Sequence, residues 1–375
     1  MTSQPVLKDI RILDFSWVLA GPYATRILAD FGAEVIKIQP LLPPQEQEDS
    51  AFARGYENTW NRSKRGITLN LNKPEGVALA QKLVASSDAV VENFTPRVMA
   101  NWGLGYENLR KIKPDIIMLS LSTMGATGPN KDYVGFGPTV QAFSGLTYLT
   151  AYPGGPPLGP GTAYADHVSA LFACLALLGA LEERRRTGGG RHIDISQVEA
   201  MASLLGDAFI PPEDLSFQGV YRCQGEDRWC AISIATDEEW RGLQKALGSP
   251  PWASDKSLAN PARRLENKEA LDALIGEWTL KHTPEEAMTI LQKQGVAAGV
   301  VQDARDLAQD PQLQERGFFI ELGKAVSDAS PIRLSASPPR YRPAPLPGQD
   351  NEYVYGGLLG ITKGEMKKLK EAGVI

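Results

Sequence analysis

Along the first half of the chain, short apolar runs alternate with stretches of helical period. Ile10–Asp14 (IRILD) predicts a buried strand, and Gly21-Pro22 opens a helix over Tyr23–Phe31 that Gly32 closes. Val35–Ile38 predicts the next strand, so the opening unit is strand–helix–strand and its two strands must be parallel. The rhythm continues with a strand at Ile67–Leu71, a helix at Pro74–Ser86 and a strand at Asp88–Glu92. A helical segment at Arg97–Trp102 then precedes Asp115–Ser122 (DIIMLSLS), the most strand-like run in the chain. Apolar strands of this kind, separated by helices, predict an α/β fold whose parallel sheet is covered on both faces.

Between Gly125 and Pro160 glycine and proline are dense, which predicts a long loop of the kind that carries function or stays disordered. Asp166 then precedes a helix from His167 to about Arg186 that stops at Thr187-Gly188-Gly189-Gly190. His192–Ser196 reads as a strand and Val198–Leu205 as a helix. Near Phe217 a second, smaller α+β unit begins, with a hairpin of Tyr221-Arg222-Cys223 and Trp229–Ala235. Helices at Asp237–Leu247, Lys268–Thr279 and Pro284–Gln294 and a strand at Val296–Val301 complete it. From Pro331 the chain turns proline-rich and extended, like a connector, and Thr362–Ala372 is a short helix.

Composition narrows the chemistry. The 375 residues carry 39 Lys and Arg against 44 Asp and Glu, a formal net charge of −5, without the basic footprint of a nucleic-acid binder. Cys174, Cys223 and Cys230 are too few for a disulfide framework, and the last two lack zinc spacing, so a reducing cytoplasm is expected. The N-terminus has no secretory pattern, and the apolar run Val168–Leu181, about 14 residues, is too short to cross a bilayer, so no membrane partner is expected. There is no phosphate-loop motif, no dinucleotide fingerprint and no serine elbow. His167, His192 and His282 are not at metal-ligand spacing, and no metal is expected. Carboxylates remain. Asp166, between a Gly/Pro-rich loop and a helix start, suits either a helix N-cap or a nucleophile, and the residues alone favour the commoner cap.

Several segments in order shift that balance: DFSWVLAGP, LADFGAEVIKI, NRSKRGITLNL, VENFTPRV and WGLGYENL, then LSTMGATGP, QAFSGL, Asp166, RRRTGGGRHIDIS, CQGEDRW and APLPGQDNEYVY. Together they resemble the family III CoA-transferases, also called CaiB/BaiF, over nearly the whole chain. The resemblance implies that Asp166 is the nucleophile of an acyl-CoA:carboxylate CoA-transferase working through aspartyl anhydride and aspartyl-CoA thioester intermediates. It implies small-molecule substrates, an acyl-CoA and a carboxylic acid, and no permanently bound cofactor. It also lays coenzyme A against Val18, Leu19, Ala20, Leu69, Asn93 and Phe94, with Arg97 and Trp102 meeting phosphate and adenine. Asn93 and Phe94 gain separate support, because they follow a strand at its carboxyl end, where open α/β sheets hold ligands.

Where related transferases often carry arginines, this chain has Pro40 and Asn101, so the phosphate contacts are expected from Arg97 or from Lys64-Arg65. The segment after Leu205 is short for the family and the glycine-rich loop of the formyl-CoA enzymes is missing, which argues against formate or oxalate as substrate. The resemblance further implies a Rossmann-like large domain over residues 1–205 and 349–375. A small α+β domain would span 218–322, with linkers at 206–217 and 323–348, in a ring-shaped chain that interlocks as a homodimer. Related α-methylacyl-CoA racemases are the alternative, but they carry a histidine where this chain has Phe136, which exchanges no proton. His167 does not replace it, since adjacent helical residues face different sides. A non-catalytic CoA-binding protein of the same fold is disfavoured by the intact Asp166.

Overall fold

The apolar runs of the first half become strands of one parallel sheet in the computed structural model, which describes residues 4–41, 50–152, 154–209 and 216–375. The chain forms two units, one from Met1–Phe209 with Arg316–Ile375 and the other from Ile210–Glu315. In the first unit the order is β1 (Arg11–Asp14), α1 (Ala20–Asp30), β2 (Glu34–Gln39), α2 (Ala51–Asn61), β3 (Arg65–Thr68), α3 (Pro74–Ala85) and β4 (Ala89–Glu92). It continues with α4 (Arg97–Asn101), α5 (Tyr106–Ile112), β5 (Ile117–Ser122), α6 (Gly137–Phe143), α7 (Leu146–Leu149), α8 (Tyr164–Thr187), β6 (Arg191–Ser196) and α9 (Gln197–Ala202). The sheet order is β3-β2-β1-β4-β5-β6 with every pair parallel.

Alternate residues of the same strands serve opposite faces, as the two-residue period of a strand requires. Leu13, Ile36, Val90 and Met118 pack under α3 and α5, while Ile12, Val35, Val91 and Leu119 pack under α1 and α8. The strand order reverses between β1 and β4, and in such sheets the carboxyl ends of those two strands flank a ligand crevice.

Four helices of this unit escape the periodicity reading. In α2 the apolar positions sit among polar ones and beside Gly55, and its Ser50 N-cap accepts a bond from the Ala53 N–H at 3.1 Å. The helix α5 is short, and α6 and α7 lie inside the Gly/Pro-rich stretch read as loop. Pro138 falls in the first turn of α6, where a missing N–H is harmless, and Val140 is buried. The long helix starts at Tyr164, three residues earlier than expected. Gln141 Nε2 donates to the Thr162 carbonyl at 2.5 Å and fixes that entry, Ala163 is the N-cap, and Asp166 lies in the first turn. The cap role weighed for Asp166 is therefore not the one it fills.

At 24 residues α8 is long and apolar enough to cross a membrane by length and composition. Its small residues Ala170, Ala173 and Ala180, with Cys174 and Leu177, are core against α1 and the sheet. Leu171, Phe172, Leu175 and Leu178 on the other side are exposed.

The second unit holds the antiparallel strands β7 (Phe217–Arg222), β8 (Trp229–Ile234) and β9 (Ala297–Val300) in sheet order. Around them lie α10 (Asp237–Ala246), α11 (Pro261–Glu266), α12 (Lys268–Thr279), α13 (Pro284–Lys293), α14 (Ala304–Gln309) and α15 (Pro311–Glu315). Phe217, Ile232, Trp240, Leu243, Ile275 and Leu291 form its core. Reciprocal capping boxes at Thr236/Glu239 and Thr283/Glu286 start α10 and α13.

The unit ends at Glu315, short of the expected 322, because the hairpin of β10 (Phe319–Leu322) and β11 (Ala325–Asp328) packs on α2. Arg26 and Arg62 bind Asp328 at 2.5 and 3.1 Å and hold the hairpin there. The proline-rich segment that follows forms neither helix nor strand up to residue 346 and is tied down: Arg340 N–H donates to the Asp30 carbonyl at 2.8 Å, and Ala344 N–H to Asn58 Oδ1 at 2.8 Å. A π-helical turn over Glu352–Leu358 and α16 (Lys363–Glu371) close the chain.

Candidate active site

The crevice at the strand reversal is built from the ends of β1 and β4. Asp14, the last residue of β1, is fully buried and accepts bonds from Ser16 N–H (2.9 Å), Thr25 Oγ1 (2.7 Å) and Lys64 Nζ (3.0 Å). Lys37 Nζ lies 3.8 Å from the same carboxylate and donates to the Ser16 carbonyl. Burial would raise the Asp14 carboxyl, but Lys37 and Lys64 reverse it and hold the group far below its ordinary range. Burial likewise lowers Lys64 to about 7, with the attraction of Asp14 opposing. This knot pins the turn that leads from β1 into α1.

That turn is Trp17-Val18-Leu19. Trp17 N–H donates to Asn93 Oδ1 at 2.8 Å, and Asn93 Nδ2 donates back to the Trp17 carbonyl at 2.9 Å. Val18 sits at φ 62°, a left-handed conformation that a β-branched residue rarely adopts. Strain of this kind persists only where the surroundings enforce it, and here the Asn93 clamp does so.

Two cavities meet at this turn. One, of about 990 Å³, is lined by Lys37, Arg54, Tyr56, Leu69 and Trp102 among others. The second, of about 420 Å³, contains Leu19, Asn93, Phe136, Gly137, Asp166 and Gln197. Trp17, Val18 and Phe94 line both. Aromatic rings follow the same route, with Trp17 6.3 Å from Phe94, Phe94 5.6 Å from Trp102, and Trp17 6.2 Å from Phe136.

Asp166 closes the smaller cavity. Gln197, the first residue of α9, donates from Nε2 to Asp166 Oδ1 at 3.2 Å. The other oxygen, Oδ2, lies 2.5 Å from where a Cβ at residue 137 would sit, so glycine there makes room for the carboxylate. Burial pushes the Asp166 carboxyl above its ordinary value, and the Gln197 bond and the nearby His167 partly oppose that. His167 itself turns away. Its Nδ1 meets the Ala163 carbonyl at 2.7 Å, and its ring packs 5.1 Å from Tyr23 and 5.6 Å from Trp60.

Of the residues singled out from sequence, Asp166, Val18, Leu19, Leu69, Asn93, Phe94 and Trp102 line one or both cavities. Ala20, the first residue of α1, is buried in the core between that helix and the sheet and lines neither cavity. Arg97 lies on the exposed side of α4 and lines neither cavity. Lys64 is spent on Asp14, and Arg65 pairs with Glu34 and Asp350 at 3.0 Å each beneath the Tyr353 ring. The cations that do line the larger cavity are Lys37 and Arg54. Sequence reading missed Gln197, although its place right after the strand HIDIS, at a carboxyl end of the sheet, was a usable signal.

Comparison with known proteins gives the family and the fold. A family model described as CoA-transferase family III matches residues 7–351. The chain is 35% identical to the probable CoA-transferase Rv1866 of Mycobacterium tuberculosis over 96% of its own length, and spans 49% of that longer protein. It is 33% identical to the succinyl-CoA–D-citramalate CoA-transferase of Chloroflexus aurantiacus, covering 98% of both chains. Among solved structures, a CaiB/BaiF family protein from Brucella suis superposes with a TM-score of 0.84 at 28% identity, over 94% of this chain and 99% of that one. With a family match over most of its length and the same fold, this chain belongs to CoA-transferase family III.

Proposed function

We propose that this chain transfers coenzyme A from an acyl-CoA donor to a free carboxylic acid, with Asp166 as the attacking group. The observation that carries the reading is Asp166 in a cavity that meets the strand-reversal crevice at Trp17, Val18 and Phe94. A thioester entering along that route reaches the carboxylate. Leu69, Phe94 and Trp102 supply apolar surface for the adenine and pantetheine, and Val18 and Leu19 flank the thioester. Asn93 acts through the Trp17 peptide it holds. Arg54 meets the phosphates, with the buried charge of Lys37 behind it.

In the first step the Asp166 carboxylate attacks the donor carbonyl and CoA thiolate leaves, giving a mixed anhydride. The thiolate then attacks the aspartyl carbonyl and expels the donor acid, giving an aspartyl-CoA thioester. The acceptor carboxylate repeats the sequence in reverse and restores Asp166. Each step exchanges bonds of similar energy, which is what covalent catalysis offers a transfer that is slow in one move. Phe136 in the cavity wall supports transfer over racemisation, since it cannot carry the second proton.

Two further readings accompany the activity. The exposed Leu171, Phe172, Leu175 and Leu178 of α8 form an apolar stripe suited to burial against a second copy, as an interlocked homodimer would provide. Cys174, Cys223 and Cys230 are all buried and free, in keeping with the cytoplasm.

The test is a panel of acetyl-, propionyl-, succinyl- and benzoyl-CoA, each offered with the free acids of the others. Turnover and intact-protein mass spectrometry should show an adduct on Asp166. Asp166→Asn should abolish transfer and adduct while CoA still binds, and turnover retained by that variant rejects the assignment.

A further inference from the structure

The two oxygens of Asp166 are not equivalent. Oδ1 is held by Gln197, while Oδ2 lies against Gly137 on the wall of the same cavity. An ionised carboxylate only accepts hydrogen bonds, so the Gln197 side chain must present its NH2 and not its carbonyl. Gln197 is 6% exposed, and its backbone is fixed on both sides. Ser196, the N-cap of α9, accepts from the Glu199 N–H at 3.2 Å, and Val198 N–H donates to the Thr123 carbonyl at 3.1 Å. The donor is therefore in place before any substrate arrives, at little reorganisation cost.

We propose that Gln197 divides the labour of the two oxygens: it leaves Oδ2 as the atom that attacks, and its N–H then stabilises Oδ1 when charge builds there. The inference rests on the transfer reading above. Oδ2, without that bond, is the more nucleophilic oxygen and forms the new C–O bond to the acyl carbon as the C–S bond breaks and the thiolate leaves. In the resulting anhydride Oδ2 is the bridging atom, and Oδ1 is the carbonyl oxygen of the aspartyl group. When the thiolate attacks that carbonyl carbon, the π electrons move onto Oδ1, where the Gln197 N–H already points. Collapse expels the donor acid with Oδ2 retained in it, so one Asp166 oxygen leaves and the acceptor carboxylate supplies its replacement. One amide thus serves every step at the aspartyl carbon.

This oxygen bookkeeping gives a specific test. With the donor–acceptor pair that turns over fastest in the panel, an acceptor acid labelled with oxygen-18 should transfer label into Asp166, read by mass spectrometry of the active-site peptide. Gln197→Glu keeps the shape, removes the donor and sets a second carboxylate beside Asp166. It should lower kcat about a hundredfold with little change in KM for acyl-CoA, and move the acid limb of the pH–rate profile upward. Gln197→Met, similar in volume and without a donor, should lose kcat likewise and serves if the glutamate variant fails to fold. Wild-type kcat and an unmoved acid limb in a folded variant overturn the role of Gln197. Turnover by Asp166→Asn overturns instead the reading beneath it, so the two failures are distinct.

Discussion

Asn93 clasps the peptide of Trp17 from both sides, its carbonyl accepting at 2.8 Å and its amide donating at 2.9 Å across the reversal between β1 and β4. Removing the side chain leaves the Trp17 N–H and C=O without these partners and releases the constraint on Val18 at φ 62°. Asn93→Ala should therefore relax the turn shared by both cavities and weaken CoA binding about tenfold, a cost of about 1.4 kcal/mol. Calorimetric titration with CoA measures this, and an unchanged dissociation constant would show that the clamp is not what shapes the site.

Gly137 offers a cleaner separation of fold from chemistry. The Cβ of an alanine there would meet Asp166 Oδ2 at 2.5 Å and Ala163 Cβ at 3.3 Å, and the atom that must yield most is the end of a side chain. The carboxylate can swing aside, so stability should hardly change while the attacking oxygen is misplaced. For Gly137→Ala the expected result is kcat lower by about a hundredfold, the usual consequence of moving a reacting group by about 1 Å, with CoA affinity intact. A parallel loss of thermal stability and activity would assign Gly137 to packing instead.

The strands β1, β2, β4 and β5 were legible because each is a largely buried apolar run whose alternate residues had to find two cores. The short helices α6 and α7 were not, because glycine and proline dominate their neighbourhood and Val140 is the one buried aliphatic side chain in them. Asp166 came from a resemblance; its hydrogen-bond partner did not, since Gln197 is 31 residues away and meets it only once α8 and α9 have packed. Lys64 and Arg65 illustrate the converse. Their charges looked available for phosphate, yet Asp14 lies 50 residues from Lys64, and Asp350 285 residues from Arg65. Local pattern carries no information about ion partners at that distance.

The knot beneath the crevice should be costly to open. Asp14→Asn would leave Lys37 and Lys64 buried without their shared anion, and breaking such a pair typically costs about 3–5 kcal/mol. Because the native Asp14 carboxyl is lowered from 3.8, the stability it contributes is present above that value and disappears only as pH falls through the lower native one. Urea unfolding at neutral pH should show the full loss for Asp14→Asn, narrowing in strong acid. Adding Lys64→Met should recover part of it; a double variant no better than the single would mean that the cations were never in balance with Asp14.

Glu92, at the end of β4, should impose the opposite dependence. It is 3% exposed, and its Oε2 accepts the Phe94 N–H at 2.8 Å, so it holds the very residue that lines both cavities. Across the sheet it pairs in register with Ser120, whose hydroxyl meets His192 Nε2 at 3.0 Å. Burial raises the Glu92 carboxyl from 4.5 to about 7, with Asp194 adding to the shift and the bonds from Ser120 and Phe94 opposing it. The native protein thus keeps a proton that the unfolded chain releases, and the associated stability is present below 4.5 and lost as pH rises through about 7. The loss is about 3 kcal/mol when complete, at 1.36 kcal/mol per unit. A glutamine in its place would be neutral throughout and still accept the Phe94 N–H, so Glu92→Gln should match wild type near pH 4 and exceed it near pH 8.5. Unfolding curves across that interval measure the difference, and two parallel stability profiles would place the titrating proton on some group other than Glu92.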